Sequence, residues 1–401
     1  MKLSSPSCTI HRPLARRGSI TVALVVSLTV LLGVLALAID WAFVNSAHVE
    51  LSRAADAAAL AGARALVHDH LLRGPCDPLE IEEAACDAAR RFAGFNSTAG
   101  DPTDLTIGHD QFGNCDIHLG RVVRSGDGIG EFVETHPSRA DTVEVTARRT
   151  GQRKNPVALL LGSILGVNSA EVVARSRASL DDEIVGFAPV CQVRVPVVPV
   201  AILARHHCDR KNTWLDAIER RGGSDCFRFD EKTCEVVPGS DGIPELELMA
   251  HGLEHDGELP DAALVRFCHH PRHSIRQQIE TGLTASDLEA LNGEVRLPDS
   301  GRLSLDGEFE LPSDLLESFR KIRGQCRVWL LFEENEKAAA TGCKLSIVGF
   351  VGARVMDVRR TEHGCLVVRV QPCFVVTRSA IVDHDGHHHK NKYIRKLSIT
   401  G

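Results

Sequence analysis

Residues 20–39 form a stretch of twenty residues that contains no charged side chain. In a helix, such a stretch is about 30 Å long, which matches the hydrocarbon core of a bilayer. A helix satisfies its own backbone hydrogen bonds, so lipid can surround it. Arg12, Arg16 and Arg17 precede it, and basic residues favour the cytoplasmic side of a membrane. The stretch predicts one transmembrane helix, with residues 40–401 on the outer side.

Two other interpretations of this stretch are less consistent with its length. A cleaved secretory signal has an apolar region of about 7–15 residues and a small-x-small cleavage site. Residues 36–38 offer such a site, but the apolar run is longer and continues from Trp41 to Val44. A soluble helix of this length would normally have a polar face. We therefore predict an uncleaved membrane anchor.

The composition indicates that the rest of the chain folds. Hydrophobic residues make up 43% and charged residues 25%, as in ordinary globular proteins, and 401 residues can hold two or three compact units beyond the anchor. The formal net charge is −7, and no basic stripe is interleaved with aromatic residues. Both observations argue against a nucleic-acid partner.

The segment that follows the apolar stretch, residues 40–72, lacks proline and is rich in alanine, which favours a continuing helix. Small residues recur in it at spacings of three and four, and these form a candidate helix-association stripe: Ala47, Leu51, Ala54, Ala58, Ala61 and Ala65. A partner helix could approach this stripe closely. Alternatively, the stripe packs on the protein's own exterior domain. Glu50 and Arg53 are expected to pair on the solvent face.

Beyond this helix the pattern predicts an α+β fold. Asp77 is placed as the N-cap of a helix that runs to about Phe92, with Pro78 at its first position. Further elements are predicted as strands at 105–107, 116–123, 142–147 and 171–180, and as a helix at 157–165. Residues 186–203 contain three prolines and are expected to form an edge strand or a linker.

Later elements are predicted as helices at 212–220, 274–282, 284–291 and 315–322, and as strands at 328–332, 344–358 and 366–377.

Five regions follow from these patterns. The regions are a basic cytoplasmic tail (1–19), the transmembrane helix (20–39), a long helix with a small α+β unit (40–182), a cysteine-rich α+β extracytoplasmic domain (183–382) and a polar, His-rich tail (383–401), which we expect to be frayed.

The thirteen cysteines divide unevenly across the predicted membrane. Cys8 precedes the anchor, which leaves an even number outside, and an even number in an oxidising compartment indicates disulfides. Buried free thiols are the alternative. The sequence does not fix the pairing, and three local pairs are the first to test: Cys226 with Cys234, Cys326 with Cys343, and Cys365 with Cys373.

Two Cys/His clusters, 206–208 and 268–273, suggest an alternative function, a membrane-tethered metal-dependent enzyme that uses residues from Cys208 to His273. Zinc sites usually contain ligand pairs at short fixed spacing, and no Cys-x2-Cys occurs here. The tail at 384–389 could bind nickel or zinc only adventitiously. Hydrolase and phosphate-loop motifs are absent from the sequence. We therefore predict no catalytic residue, cofactor or resident metal.

The N-terminal segments resemble TadG-like proteins, which are associated with the assembly of Flp (tight-adherence) pili. The resemblance rests on Arg16-Arg17-Gly18-Ser19, on the apolar run to Asp40, and on Val49-Glu50-Leu51-Ser52-Arg53-Ala54-Ala55-Asp56-Ala57-Ala58-Ala59-Leu60-Ala61-Gly62. Several later segments are similar to long TadG-like proteins of planctomycete type: 116–123, 143–149, 156–166, 184–189, 274–287, 347–358 and 367–372. Residues 191–273 resemble the family least.

This resemblance implies an inner-membrane, non-enzymatic component of a pilus or secretion assembly. Its implied partners are other membrane and pilus-assembly components, the lipid bilayer and possible further copies of the N-terminal helix. Wider pilin-like proteins are cut after a glycine that is followed five residues later by glutamate, but Gly18 is followed there by Ala23. No Asp-x-Ser-x-Ser string of a von Willebrand A-type metal site occurs. An accessory component is implied, not the pilus shaft.

Overall fold

The computed structural model describes residues 19–74, 77–108, 115–123, 130–191, 193–206, 212–249, 260–267, 272–333, 343–384 and 390–400. It confirms the predicted α+β class, with one long N-terminal helix followed by many strands. The α-helices are α1 (Ser19–Ala65), α2 (Pro78–Gly94), α3 (Arg272–Thr281) and α4 (Leu316–Lys321).

The strands of the first half are β1 (Ser97–Thr98), β2 (Asp101–Pro102), β3 (Ile117–Val123), β4 (Glu131–Glu134), β5 (Thr142–Arg149), β6 (Val157–Ala158), β7 (Ser169–Ala170), β8 (Val172–Asp181), β9 (Ile184–Phe187) and β10 (Val197–Leu203). Those of the second half are β11 (Phe227–Asp230), β12 (Glu235–Pro238), β13 (Leu246–Met249), β14 (Ala262–Arg266), β15 (Val295–Arg296), β16 (Leu303–Glu308), β17 (Cys326–Glu333), β18 (Cys343–Arg360), β19 (Leu366–Pro372), β20 (Val375–Thr377), β21 (Ala380–Val382) and β22 (Ile394–Ile399).

A six-stranded sheet, with strand order β20-β22-β8-β5-β3-β4, covers the second half of α1. Its central strand β5 is buried along almost its whole length. Val143 and Val145 of this strand share a core with the alanines of α1 and α2. Because alanine side chains are short, both helices lie close to the sheet.

A second sheet, of seven strands, contains a closed ring. Strand β18 pairs with β16 along one edge and with β17 along the other, and β14 and β10 complete the circuit. Five strands thus form a small barrel, while β19 and β13 extend from the far half of β18. Trp329, Phe319 and Phe332 lie fully buried in the core of this region.

The end of the chain returns to the first sheet. Strand β22 pairs antiparallel with β8, and β20 runs parallel to β22. The prediction of a frayed tail beyond residue 383 is therefore wrong for residues 394–399. Polar side chains are compatible with this strand because only Ile394 is fully buried, and the other five residues are half-buried or exposed.

Local capping signals predicted α2 correctly. The Asp77 carboxylate accepts a hydrogen bond from the Leu79 backbone N–H, Pro78 is the first helical residue, and the helix ends at Gly94. Strands β3, β5 and β8 also lie where alternation predicted them. At 105–107, by contrast, no strand is formed.

Two segments around the first sheet differ from their predictions. Residues 157–165 form strand β6 and a short 3₁₀ turn, Gly162–Leu165, instead of a helix. The reason is tertiary, since Val157 pairs with Ala170 and the turn's backbone bonds to α1. Strand β10 is an interior strand between β14 and β17, not an edge. Pro199 is tolerated there because the pairing with β17 is interrupted between Val197 and Ala201.

Of the four predicted short helices, two are formed and two are reduced to single turns. The segment at 315–322 contains α4, and residues 274–281 lie within α3. The predicted helix at 212–220 is a single wide turn, Trp214–Glu219, and that at 284–291 reduces to Glu289–Leu291. Short segments lack the length to fix a helix without tertiary contacts, so such differences are expected.

Candidate functional site

The first half of α1 is largely exposed, and between Ile20 and Asp40 only Ala36 and Asp40 are buried. All large apolar side chains between Ile20 and Ile39 are at least 40% exposed. Within the described residues, the helical stretch Ile20–Leu72 is the single candidate that is long and apolar enough to cross a membrane. An apolar surface of this size is unfavourable in water and is favourable in lipid.

The second half of α1 is covered by the protein itself. Ala47, Leu51, Ala54 and Ala58 of the candidate association stripe are buried against α2 and the first sheet. The two remaining members, Ala61 and Ala65, are half-buried. Of the two interpretations left open by the sequence, internal packing applies to the four buried residues.

Gly62 lies where α1 closely approaches α2 and the first sheet. A Cβ added there would lie 3.1 Å from a methyl group of Val143 and 3.3 Å from both the Ala85 carbonyl oxygen and the Ala89 Cβ. Such distances leave little room for a side chain. The alanines and this glycine therefore allow a close contact between two helices and a sheet.

Glu50 differs from its predicted role on this helix. It is half-buried, and its carboxylate accepts a hydrogen bond of 2.8 Å from the backbone N–H of Ala99. Ala99 lies in the turn between β1 and β2 with a left-handed φ of 51°. The expected solvent-face pair with Arg53 is replaced by a contact that fastens this turn to α1.

Asp40 connects α1 to a loop of the α+β domain. It is 6% exposed, and its carboxylate accepts hydrogen bonds from the backbone N–H groups of Leu160, at 2.8 Å, and Leu161, at 3.1 Å. This residue directly follows the uncharged stretch. The contact therefore fixes a loop of the α+β domain at the end of the apolar stretch.

A cleft of about 810 Å³ lies where α1 ends. Residues of α1, α2, the β11–β12 hairpin and the barrel line it, among them Ala61, Ala65, His68, Phe92 and Phe229. Burial, with a smaller contribution from the neighbouring His70, lowers the pKa of His68. The lining of the cleft is mixed, because the helices contribute alanines and Phe92 as well as Arg64, Glu80 and Arg91.

An ion pair closes the base of this cleft. The Asp69 carboxylate lies 2.8 Å from the Arg354 guanidinium and also accepts the Phe374 backbone N–H at 2.8 Å. Arg354 stacks on the Phe229 ring, 3.7 Å from its centroid. Asp69 belongs to the turn after α1, whereas Arg354 lies on β18. These contacts connect the anchor helix to the barrel.

Two thiols adjoin this ion pair. Cys326 accepts a hydrogen bond of 3.3 Å from Arg354, and its side chain contacts that of Cys373. The hydrogen bond with Cys373, with a further contribution from the Arg354 charge, lowers the pKa of Cys326. Complete burial raises the pKa of Cys373. The fold thus brings together two cysteines from different local pairs of the sequence prediction.

None of the three predicted local disulfides fits this fold. Cys326 pairs opposite Arg354, so β18 separates it from Cys343 by eleven residues, or roughly 35 Å at ~3.3 Å per residue. Cys365 and Cys373 lie at opposite ends of the extended strand β19. Cys226 precedes the open end of the β11–β12 hairpin, while Cys234 lies at its turn. A disulfide requires Cα atoms within about 7 Å, and Cys226, Cys234, Cys326, Cys365 and Cys373 are free thiols here.

Other predicted residues cannot be placed. The topology determinants Arg12, Arg16 and Arg17 lie outside the described residues, as do Cys208 and most of the Cys/His cluster. In the part of the chain that the structure describes, no three or more His, Cys, Asp or Glu side chains are grouped to hold a metal ion. The metal-dependent alternative is therefore untested at its own residues.

Sequence reasoning missed Asp40, Asp69 and Arg354. Asp40 had a signal, because an acid at the end of an apolar helix needs a polar partner. Asp69 and Arg354 had none, since 285 residues separate them and only the fold brings them together.

Together these features define a protein with one long helix, whose first half is apolar and largely exposed, and an α+β domain packed against its second half. Residues 18–65, which coincide with α1, match the family described as Flp pilus-assembly TadE/G-like. The match confirms the resemblance of the N-terminal segments, and a segment of this type implies a role in the assembly of Flp, or tight-adherence, pili. No curated protein and no solved structure gives a match.

Proposed function

We propose that this protein is a non-enzymatic, membrane-anchored accessory component of a Tad/Flp-type pilus or secretion assembly. One observation supports this most directly: the TadE/G-like segment is a single helix that is largely exposed in its first half and covered by its own domain in the second. A helix built this way holds the exterior domain at a fixed place on the membrane. The domain surface, rather than the alanine stripe, then meets other components.

The proposed location is the cytoplasmic membrane, with the N-terminus inside. The basic residues before the apolar stretch support this orientation. Fusions after Thr400 provide the test: alkaline phosphatase should be active, and a fluorescent protein that folds only in the cytoplasm should be dark. A bright cytoplasmic fusion with an inactive phosphatase would overturn the orientation.

The proposed partners are other pilus-assembly proteins, the bilayer and, through the exposed surface of α1, further copies of this chain. Because Ala47 to Ala58 are covered, a neighbour can reach the outer face of α1, where His48 and Val49 are exposed. We expect a photocrosslinker at Val49 to capture other chains in intact, pilus-producing cells. A photocrosslinker at Val133, on the edge strand β4, is the control for random encounters.

Two results would overturn this proposal. Equal capture at Val49 and Val133 would argue against a specific assembly contact along α1. Stoichiometric zinc in the purified full-length protein, together with reduced cysteines, would favour the metal-dependent enzyme instead. Both measurements use the whole chain in membranes or mild detergent.

An exterior location also revises the disulfide prediction. We expect Cys326 and Cys373, whose side chains are in contact, to transfer two electrons and two protons to a disulfide-donating oxidase and form one bond. Peptide mapping without reduction should recover a linked Cys326–Cys373 peptide from membranes. Recovery of both residues as alkylated thiols would contradict this pairing.

A further inference from the structure

The loop that Asp40 holds has an unusual surface. Residues 155–170 contain no charged side chain, although Lys154 and Glu171 flank them. Three apolar side chains of this loop point into solvent: Leu160 is 59% exposed, Ile164 74% and Val167 53%. Single exposed apolar residues are common, but a neutral loop that exposes three is typical of an interaction site.

The loop is a well-defined structure and not a loose connection. Leu159 N–H donates to the Asn168 carbonyl at 3.0 Å, and Val167 N–H donates to the Gly162 carbonyl at 3.0 Å. Gly166 ends the 3₁₀ turn with a left-handed φ of 79°. A Cβ at Gly162 would lie 2.3 Å from the Val167 carbonyl oxygen, so this tight turn requires glycine.

The position of the loop follows from Asp40. The Asp40 carboxylate lies 2.8 Å from the Leu160 backbone nitrogen, and Asp40 directly follows the last residue of the uncharged stretch. The loop therefore lies within a few ångströms, along the helix axis, of the level at which α1 leaves the hydrocarbon core. Trp41, which is 77% exposed, lies at the same level. Tryptophan is enriched at this boundary between lipid and water.

The geometry points to insertion of residues 159–167 into the outer interface of the bilayer, beside the membrane-spanning helix. This inference rests on the proposed membrane anchor and adds a second lipid contact to it. Asp40 holds the loop beside the end of the apolar helix, and the loop has no charge that would oppose entry into the headgroup and acyl boundary. Two contacts, the helix and the loop, would fix the tilt of the exterior domain.

A photocrosslinking experiment tests this contact in the full-length protein. The chain is reconstituted in vesicles of phosphatidylethanolamine and phosphatidylglycerol that contain an alkyne-tagged acyl chain. A benzophenone amino acid replaces Ile164, Leu31 of the span or Val133 of β4, all of which are exposed. We expect at least fivefold more lipid adduct at Ile164 than at Val133, and a yield at Leu31 similar to that at Ile164.

The three positions separate the possible failures. Lipid adducts at Leu31 but not above the Val133 level at Ile164 would overturn the loop contact alone. Crosslinks from Ile164 to protein, including a second copy of this chain, in place of lipid would also overturn it. Absence of lipid adducts at Leu31 would overturn the membrane anchor and the loop contact together.

A variant tests the positioning role of Asp40. Asp40→Ala removes the acceptor of two backbone N–H groups, so the loop should no longer be held at the membrane boundary. We expect the lipid adduct at Ile164 to fall at least threefold, with no change at Leu31. An unchanged yield at Ile164 would overturn the positioning role of this residue.

Discussion

In the first half of α1 the large apolar side chains are exposed, whereas in the second half Leu51 and most of the alanines are buried. The same helix thus runs from a surface that requires lipid to a surface that requires protein. The difference lies in side-chain size: leucines and valines offer apolar area to lipid, while alanines and Gly62 allow a sheet and a second helix to approach. Because the helix is continuous across this change, the apolar segment and the α+β domain share one rigid element.

The largest expected effect comes from charging the lipid-facing half. Leu28→Arg with Leu32→Arg places two charges in the span, each of which opposes insertion by about 2.5–3.5 kcal/mol. The double variant should leave the membrane fraction on carbonate extraction. His48→Arg with Val49→Arg, on the exposed face of the second half, is the control and should remain in the membrane. Equal retention of both variants would remove the distinction between the two halves.

The connection between the protein-facing half and the barrel should produce the next largest effect. Asp69→Ala leaves Arg354, whose side chain is 9% exposed, without its carboxylate partner. Breaking a buried pair of this kind costs about 3 kcal/mol. Urea unfolding of the full-length protein in detergent, followed by tryptophan fluorescence, measures the loss. Asp77→Ala removes one helix cap and should cost about 1 kcal/mol, so similar losses would contradict the importance of the ion pair.

A smaller effect is expected from enlarging one alanine in the buried half. Ala58 is fully buried, and Ala58→Leu should reduce the free energy of unfolding by about 1–3 kcal/mol through overpacking. The same change at Ala42, which is exposed on the same helix, should shift stability by less than about 0.5 kcal/mol. If Ala58→Leu instead left stability unchanged and reduced crosslinking between copies, the stripe would be an intermolecular contact.

The smallest effect concerns the sheet that covers the buried half. Glu144 of β5 pairs with Arg175 and Arg177 of β8. Burial alone would raise the pKa of Glu144, but hydrogen bonds from the two arginines outweigh it and lower the pKa. A carboxyl whose pKa is lower in the folded state stabilises the fold above its unfolded pKa, near 4, and this contribution is lost as the pH falls through the folded pKa.

Glu144→Gln should therefore flatten the loss of stability on acidification. Unfolding free energies measured from about pH 5 to about pH 3 should fall less in this variant than in the natural protein. Retention in the membrane should be unaffected, because the glutamate lies outside the span. An equal slope in both proteins would show that the arginine pairs do not stabilise the sheet.

Local rules predicted the elements whose causes are local. Asp77 and Pro78 start α2, and alternation identifies β3, β5 and β8. Local rules failed where contacts with residues far away in the chain determine the structure. The loop at 157–165 takes its form from Asp40 of α1, and strand β10 is interior because β14 and β17 lie on either side of it.

The site divides in the same way. The anchor and the alanine stripe are visible in the sequence, since their residues are consecutive or follow helical spacing. The Asp69–Arg354 pair and the contact between Cys326 and Cys373 are not, because strand pairing joins segments that are far apart in the chain. The predicted disulfides failed because short separation along a strand is a large separation in space.

The sequence by itself determined that one apolar helix precedes a folded α+β domain, and that the helix continues as an alanine-rich segment of TadE/G-like type. Composition and periodicity suffice for this because a membrane span depends only on the length and polarity of consecutive residues. Only the tertiary structure decided that the alanine stripe is covered by the protein's own sheet, that five strands close into a barrel, and that the last strand returns to the first sheet. These features depend on which surfaces pair across long separations, and no local pattern specifies such a pairing.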